Sequence, residues 1–118
     1  MSSTNAAVTF EAPMDPSDVM DYVASFVNLL EDGETLLTFS IDISTNAENV
    51  GVEIKDIPAA AVSLDGKSIT FWTQVSDAQQ DNIAFCDEGF KAELVFTITT
   101  TASPREYQRT FIIVIKQL

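Results

Sequence analysis

Apolar and polar residues alternate most regularly near the C-terminal end of the chain. Ala92, Leu94, Phe96 and Ile98 fall on one side, and Glu93, Val95, Thr97 and Thr99 on the other. After a break at Thr101-Ala102-Ser103-Pro104-Arg105, Tyr107, Phe111, Ile113 and Ile115 take one face. Gln108, Thr110, Ile112, Val114 and Lys116 take the other. A period of two over such lengths, rich in Thr, Val, Ile and Phe, predicts two strands packed mainly on one face. The polar, proline-containing link between them predicts a hairpin. That hairpin needs a sheet to join and a second sheet to cover it.

Upstream, the same pattern recurs in shorter pieces. Leu37, Phe39, Ile41 and Ile43 alternate with Thr38, Ser40 and Asp42, a strand. Ser44 to Asn49 reads as a polar loop, and Val50 to Ile54 as a short strand ended by Asp56-Ile57-Pro58. Ala61 to Leu64 and Ser68 to Val75 flank Asp65-Gly66-Lys67, a hairpin signal because glycine accepts positive φ without steric cost. Trp72, on the second of these strands, is read first as a buried core anchor and second as a surface hot spot. Ser76 to Gly89 is the longest irregular stretch, polar at first but with Ile83, Ala84, Phe85 and Cys86 inside it. Such a loop either folds back on the core or is kept for a partner.

Two segments admit two readings. Residues 1–6 are small and polar and read as a mobile arm. Ala7 to Glu11 is a short edge strand or a tail that orders only against a partner, which sets 1–12 apart from a domain spanning 13–118. In Asp18 to Leu30, Val19, Tyr22, Val23, Phe26, Val27 and Leu30 form a helical stripe, with Asp15 and Pro16 suited to its start. The rival is a strand with Met20, Tyr22, Ala24 and Phe26 on one face, ending at Glu31-Asp32-Gly33. Periodicity alone prefers the helix. Counting gives about seven short strands, which an all-β, immunoglobulin-like sandwich accommodates.

Composition narrows the function more than the fold. At 118 residues the chain is one domain's length, and 46% hydrophobic content is that of a globular protein. Eighteen acidic residues against six basic ones give a formal charge of −12. That balance excludes nucleic acid and anionic membranes as expected partners, because both recruit Lys and Arg. It suits solubility, or a basic partner. The N-terminus has no signal-peptide pattern, and a soluble product is expected.

Candidate chemistry is sparse. Cys86 is the one cysteine, and there is no histidine, so no Cys–His or Ser–His pair and no imidazole ligand can form. Cys86 beside Phe85 reads as a small buried apolar side chain. Asp15, Asp18 and Asp21 recur every third residue, and Glu31, Asp32 and Glu34 cluster at a turn. Carboxylates so grouped act as acid and base or hold Ca²⁺ only when ligand spacing and partners converge, and here they read first as capping and turn residues and second as a cation site. No catalytic residue, metal or cofactor is expected, and the chain reads as a binding or assembly module.

Four stretches in order resemble a family of small tailed-bacteriophage virion proteins, the phage fibre–tail adaptor family. They are Asp15-Pro16-Ser17-Asp18-Val19-Met20-Asp21-Tyr22, Leu30-Glu31-Asp32-Gly33-Glu34-Thr35-Leu36, Ser68-Ile69-Thr70-Phe71-Trp72, and the closing pair Phe96-Thr97-Ile98-Thr99-Thr100 with Glu106-Tyr107-Gln108-Arg109-Thr110-Phe111. The likeness spans residues 13–117. It implies an immunoglobulin-like fold, turns Asp18 to Phe26 toward strand, and implies a non-enzymatic adaptor linking a tail or head–tail connector to tail fibres. The implied partners are other phage structural proteins, met by many copies on a symmetric assembly. The implied place is the virion, assembled in the host cytoplasm. A capsid decoration or cement protein is the alternative role.

Overall fold

The protein, described by a computed structural model over residues 7–101 and 105–118, is a two-sheet sandwich. Its elements are β1 (Val8–Thr9), β2 (Val19–Ser25), β3 (Leu36–Ile43), α1 (Thr45–Asn49), β4 (Val52–Ile54), β5 (Ala61–Val62), β6 (Ser68–Val75), β7 (Phe90–Thr100) and β8 (Glu106–Ile115). One sheet has the order β1-β8-β7-β3 and the other β2-β6-β4, with β5 also on β6. The chain changes sheet from β1 to β2, from β2 to β3, from β3 to β4 and from β6 to β7, the Greek-key path of an immunoglobulin-like sandwich.

The closing hairpin forms in the expected register, from Phe90 opposite Ile115 to Thr99 opposite Glu106. Residues 102–104 of its link lie outside the described residues, as does the arm expected over 1–6. Leu94, Phe96 and Ile98 of β7 and Phe111, Ile113 and Ile115 of β8 are buried against Tyr22 and Ala24 of β2 and Ile69 and Phe71 of β6. Phe96 sits at the centre, its ring 5.0 Å from Phe111 and 5.4 Å from Phe71 across the sheets. Burying each such aromatic side chain contributes about 1.5–3 kcal/mol. The β5–β6 hairpin also forms, with Gly66 at φ 73 under Thr35, where a Cβ would lie 2.7 Å from the threonine Cβ.

Val19 to Ser25 is a strand, so tertiary pairing with β6 overrides the helical period. Tyr22, Ala24 and Phe26 are buried, whereas Val19, Val23 and Val27, half of the helical stripe, are 49%, 52% and 52% exposed. The N-terminal segment takes its edge-strand alternative. It runs parallel to β8, with Phe10 N–H donating to Ile112 O at 2.9 Å and Met14 N–H to Val114 O at 2.9 Å. The Phe10 ring stacks 5.4 Å from Phe111.

Four expectations are corrected. Leu37 is 63% exposed and Leu36 is buried, because a bulge between Leu36 and Thr38 shifts the alternation by one residue. The loop at Ser44 to Asn49 is the helix α1, whose N-cap Ser44 Oγ accepts from Ala47 N–H, with Ala47 buried. Trp72 is not a core anchor. Ile69, Phe71, Thr73 and Val75 face inward, which turns Trp72 to the outer face, half-buried. Cys86 is exposed, because its neighbour Phe85 takes the core position. The Ser76–Gly89 loop folds back at that point: two single turns of 3₁₀ helix, Asp77–Gln79 and Ile83–Phe85, bring Phe85 against Phe90, and Gln117 N–H donates to Phe85 O at 2.8 Å.

Candidate assembly surface

The two acidic clusters do not converge on a common point. Asp15 forms an Asx turn, its Oδ2 accepting from Ser17 N–H at 2.9 Å, while its Oδ1 accepts from Leu118 N–H at 2.9 Å. Asp18 reaches back to Asp15 N–H at 3.1 Å, but Asp21 points outward from β2, away from both. The backbone N–H of Leu118, then the Ser17 hydroxyl and N–H, hold the Asp15 carboxyl below the usual carboxylate range. The Leu118 bond ties the turn before β2 to the segment that follows β8.

Glu31, Asp32 and Glu34 separate in the same way. Glu31 and Asp32 are exposed, whereas Glu34 is 2% exposed and fully bonded. Its Oε1 accepts from Glu31 N–H at 2.9 Å, and its Oε2 accepts from the Thr100 hydroxyl. Arg105 lies 3.9 Å from Glu34 and 3.4 Å from Glu31. The Glu31 N–H, the Thr100 hydroxyl, and the Arg105 and Lys67 charges lower the Glu34 pKa against the opposing effect of burial. This buried carboxylate is structural, and its partners Thr100 and Arg105 both come from the distant end of β7 and its link to β8, so no local sequence signal marked it.

Among the described residues, no three carboxylate or thiol groups are placed to hold a metal ion. Among the described residues, two concavities stand out. A shallow polar one of about 530 Å³ lies beside α1, with Glu48, Glu53, Ser76 and Gln79 on its walls. A smaller one of about 220 Å³ opens between the end of β2 and β8, walled by Phe26, Leu29 and Phe111 with Arg109 at its side. Arg109 lies over the Tyr107 ring at 5.5 Å and donates to Gln108 O at 2.7 Å. Neither concavity brings a nucleophile to a base.

What the fold does present is strand edge. Phe26 N–H donates to Lys67 O at 2.9 Å, which makes that couple a hydrogen-bonded pair. Antiparallel pairs alternate, so Ala24–Ile69, Tyr22–Phe71 and Met20–Thr73 also turn their backbone groups toward β6. The N–H and C=O groups of Val19, Asp21, Val23 and Ser25 therefore face the open side of β2. On the adjoining outer face, Trp72 lies directly opposite Asp21, flanked diagonally by Val19 and Val23. No protein-family model matches the chain, and no curated protein matches it in sequence. Among the described residues, no helix is long and apolar enough to cross a membrane.

Proposed function

We propose that the chain is a non-enzymatic structural protein of a tailed-bacteriophage particle, an adaptor that joins the tail or head–tail connector to its fibres by protein–protein contacts. The observation that carries this reading is the regular, open edge of β2 beside a partly apolar outer face, in a sandwich where Asp15, Glu34 and Asp65 are taken up in holding turns. Unpaired strand edges are templates for another chain's backbone. The ordered likeness over residues 13–117 to phage virion proteins supports the same reading. Many copies on a symmetric platform would make a modest contact per copy sufficient, because linked contacts act at high effective concentration.

Affinity-tagged chain, expressed during phage infection and followed into purified particles by cryo-electron microscopy, tests this. Added density at the tail collar, at the base of the fibres, is the expected result. Density on the capsid lattice would replace the adaptor with a decoration role, and particles free of the chain would remove the virion reading altogether.

A further inference from the structure

We infer that β2 is the docking edge of the molecule and that its occupant is an extended, basic segment of another protein, added as a strand antiparallel or parallel to Val19–Ser25. The inference rests on the assembly reading of the fold but makes its own claim about which edge is used and by what chemistry.

The other edges each carry a device that discourages pairing. β1 and β5 are two residues long and β4 three. β3 is broken by the bulge at Leu36/Thr38 and runs directly into α1. β2 has none of these: seven regular residues, pairing in unbroken register with β6 on one side only. Its outer side chains are also unexplained by the core. Val19 and Val23 are about half exposed on either side of Asp21, and with Trp72 they give this face an apolar strip. An added strand would lie about 4.8 Å beyond β2 and place alternate side chains level with these valines.

Charge selects the occupant. Asp21 is the one charged side chain of β2, and Asp18 precedes it. Lys55, which pairs with Trp72 through its backbone at 2.8 Å, lies on the far side of β6 from the open edge, and Lys67 and Arg109 stand at the Ser25–Phe26 end of β2, several residues from Asp21. The whole chain carries −12. A second copy of the chain would bring the same charge and set Asp21 near its counterpart, whereas a strand bearing Lys or Arg beside apolar residues would meet both the carboxylate and the valines.

The test uses the whole chain with the short synthetic peptide Thr-Val-Thr-Lys-Thr-Val-Thr, whose two valines and lysine share one face of a strand, and the same peptide with glutamate in place of lysine. Amide hydrogen exchange is followed by NMR. The basic peptide should slow exchange about tenfold or more at Val19, Asp21, Val23 and Ser25, and the acidic peptide should leave them unchanged. Val23→Pro blocks the edge without removing a bond to β6, since that N–H points outward, and should weaken binding about tenfold in a folded protein. Asp21→Lys leaves the backbone as it is, so it decides the matter if the proline variant fails to fold. It should weaken the basic peptide several-fold. Slowed exchange at Phe39, Ile41 and Ile43 in place of β2, equal binding of both peptides, unchanged binding by a folded Val23→Pro or by Asp21→Lys, or pairing of the chain with itself through β2 would each overturn the inference. Absence of the chain from phage particles, with the β2 amides still protected by the basic peptide, would remove the virion reading and leave this one standing.

Discussion

Glu34 carries the sharpest consequence of any single side chain, because its carboxylate is both buried and fully bonded. Its pKa lies below its ordinary value of 4.5, with the Glu31 N–H as the largest cause and the Thr100 hydroxyl next. A carboxyl whose folded pKa is lowered contributes stability that is present above the unfolded value. That contribution starts to fall below about pH 4.5 and is lost as pH drops through the folded value. Asp15 and Asp65 are lowered as well, so the acid limb of the stability curve is shared. Glu34→Gln should lower the melting temperature at pH 7 by roughly 5 °C, and the difference from the parent should shrink as pH approaches 3. Thermal melts of both proteins across that range check it. A difference that stays constant with pH would assign the loss to packing and not to the charge.

Among the elements, β7 and β8 were legible in the sequence because each buries one face only, and alternation then records the burial directly. β2 was not, for a physical reason that bears on function. Its inner row, Met20, Tyr22, Ala24 and Phe26, has the strand period, but exposed Val19, Val23 and Val27 complete a helical stripe over it. Apolar residues placed for something other than the core blur the pattern that the core writes. α1 escaped notice because five residues with a single buried position, Ala47, carry no period at all. The Glu34 lock was equally hidden, since its partners lie far along the chain, Thr100 66 positions away and Arg105 further still.

The N-terminal segment is held to this scaffold at two levels. Backbone bonds join it to β8, and the Tyr22 hydroxyl donates to Ala12 O at 2.9 Å from the opposite sheet. Burial first, and the Asp18 charge second, push that hydroxyl up to about 12 from 10.0. Because the folded pKa is raised, the stability this group contributes is full below pH 10 and is lost as pH rises through about 12. Tyr22→Phe removes one hydrogen bond worth roughly 0.5–1.5 kcal/mol. It should speed amide exchange at Phe10 and Met14 more than at Phe96, and should flatten the fall in melting temperature between pH 10 and 12. Equal acceleration everywhere would mean that the segment opens only with the whole fold.

For the whole molecule the governing quantity is the charge of −12 on a sandwich measuring 46 × 35 × 22 Å. Like charges held this close oppose folding by mutual repulsion, and dissolved salt screens them over about 10 Å at 0.1 M. Among the described residues, the ion pairs of Arg105 with Glu31 and Glu34 are weakened by the same screening, the exposed pair with Glu31 most, but they offset little of so large an excess of one sign. Repulsion should therefore dominate, and raising NaCl from about 0.01 M to about 0.15 M at pH 7 should raise the melting temperature by a few degrees. Docking of a basic strand on β2 should respond in the opposite direction, because the same ions screen Asp21 from its partner. Calorimetry of the free chain and a binding titration in matched buffers measure the two responses. Opposite signs identify the excess acidity as a recognition feature that the fold tolerates. A melting temperature that falls with salt would show that attraction within the chain outweighs its net charge.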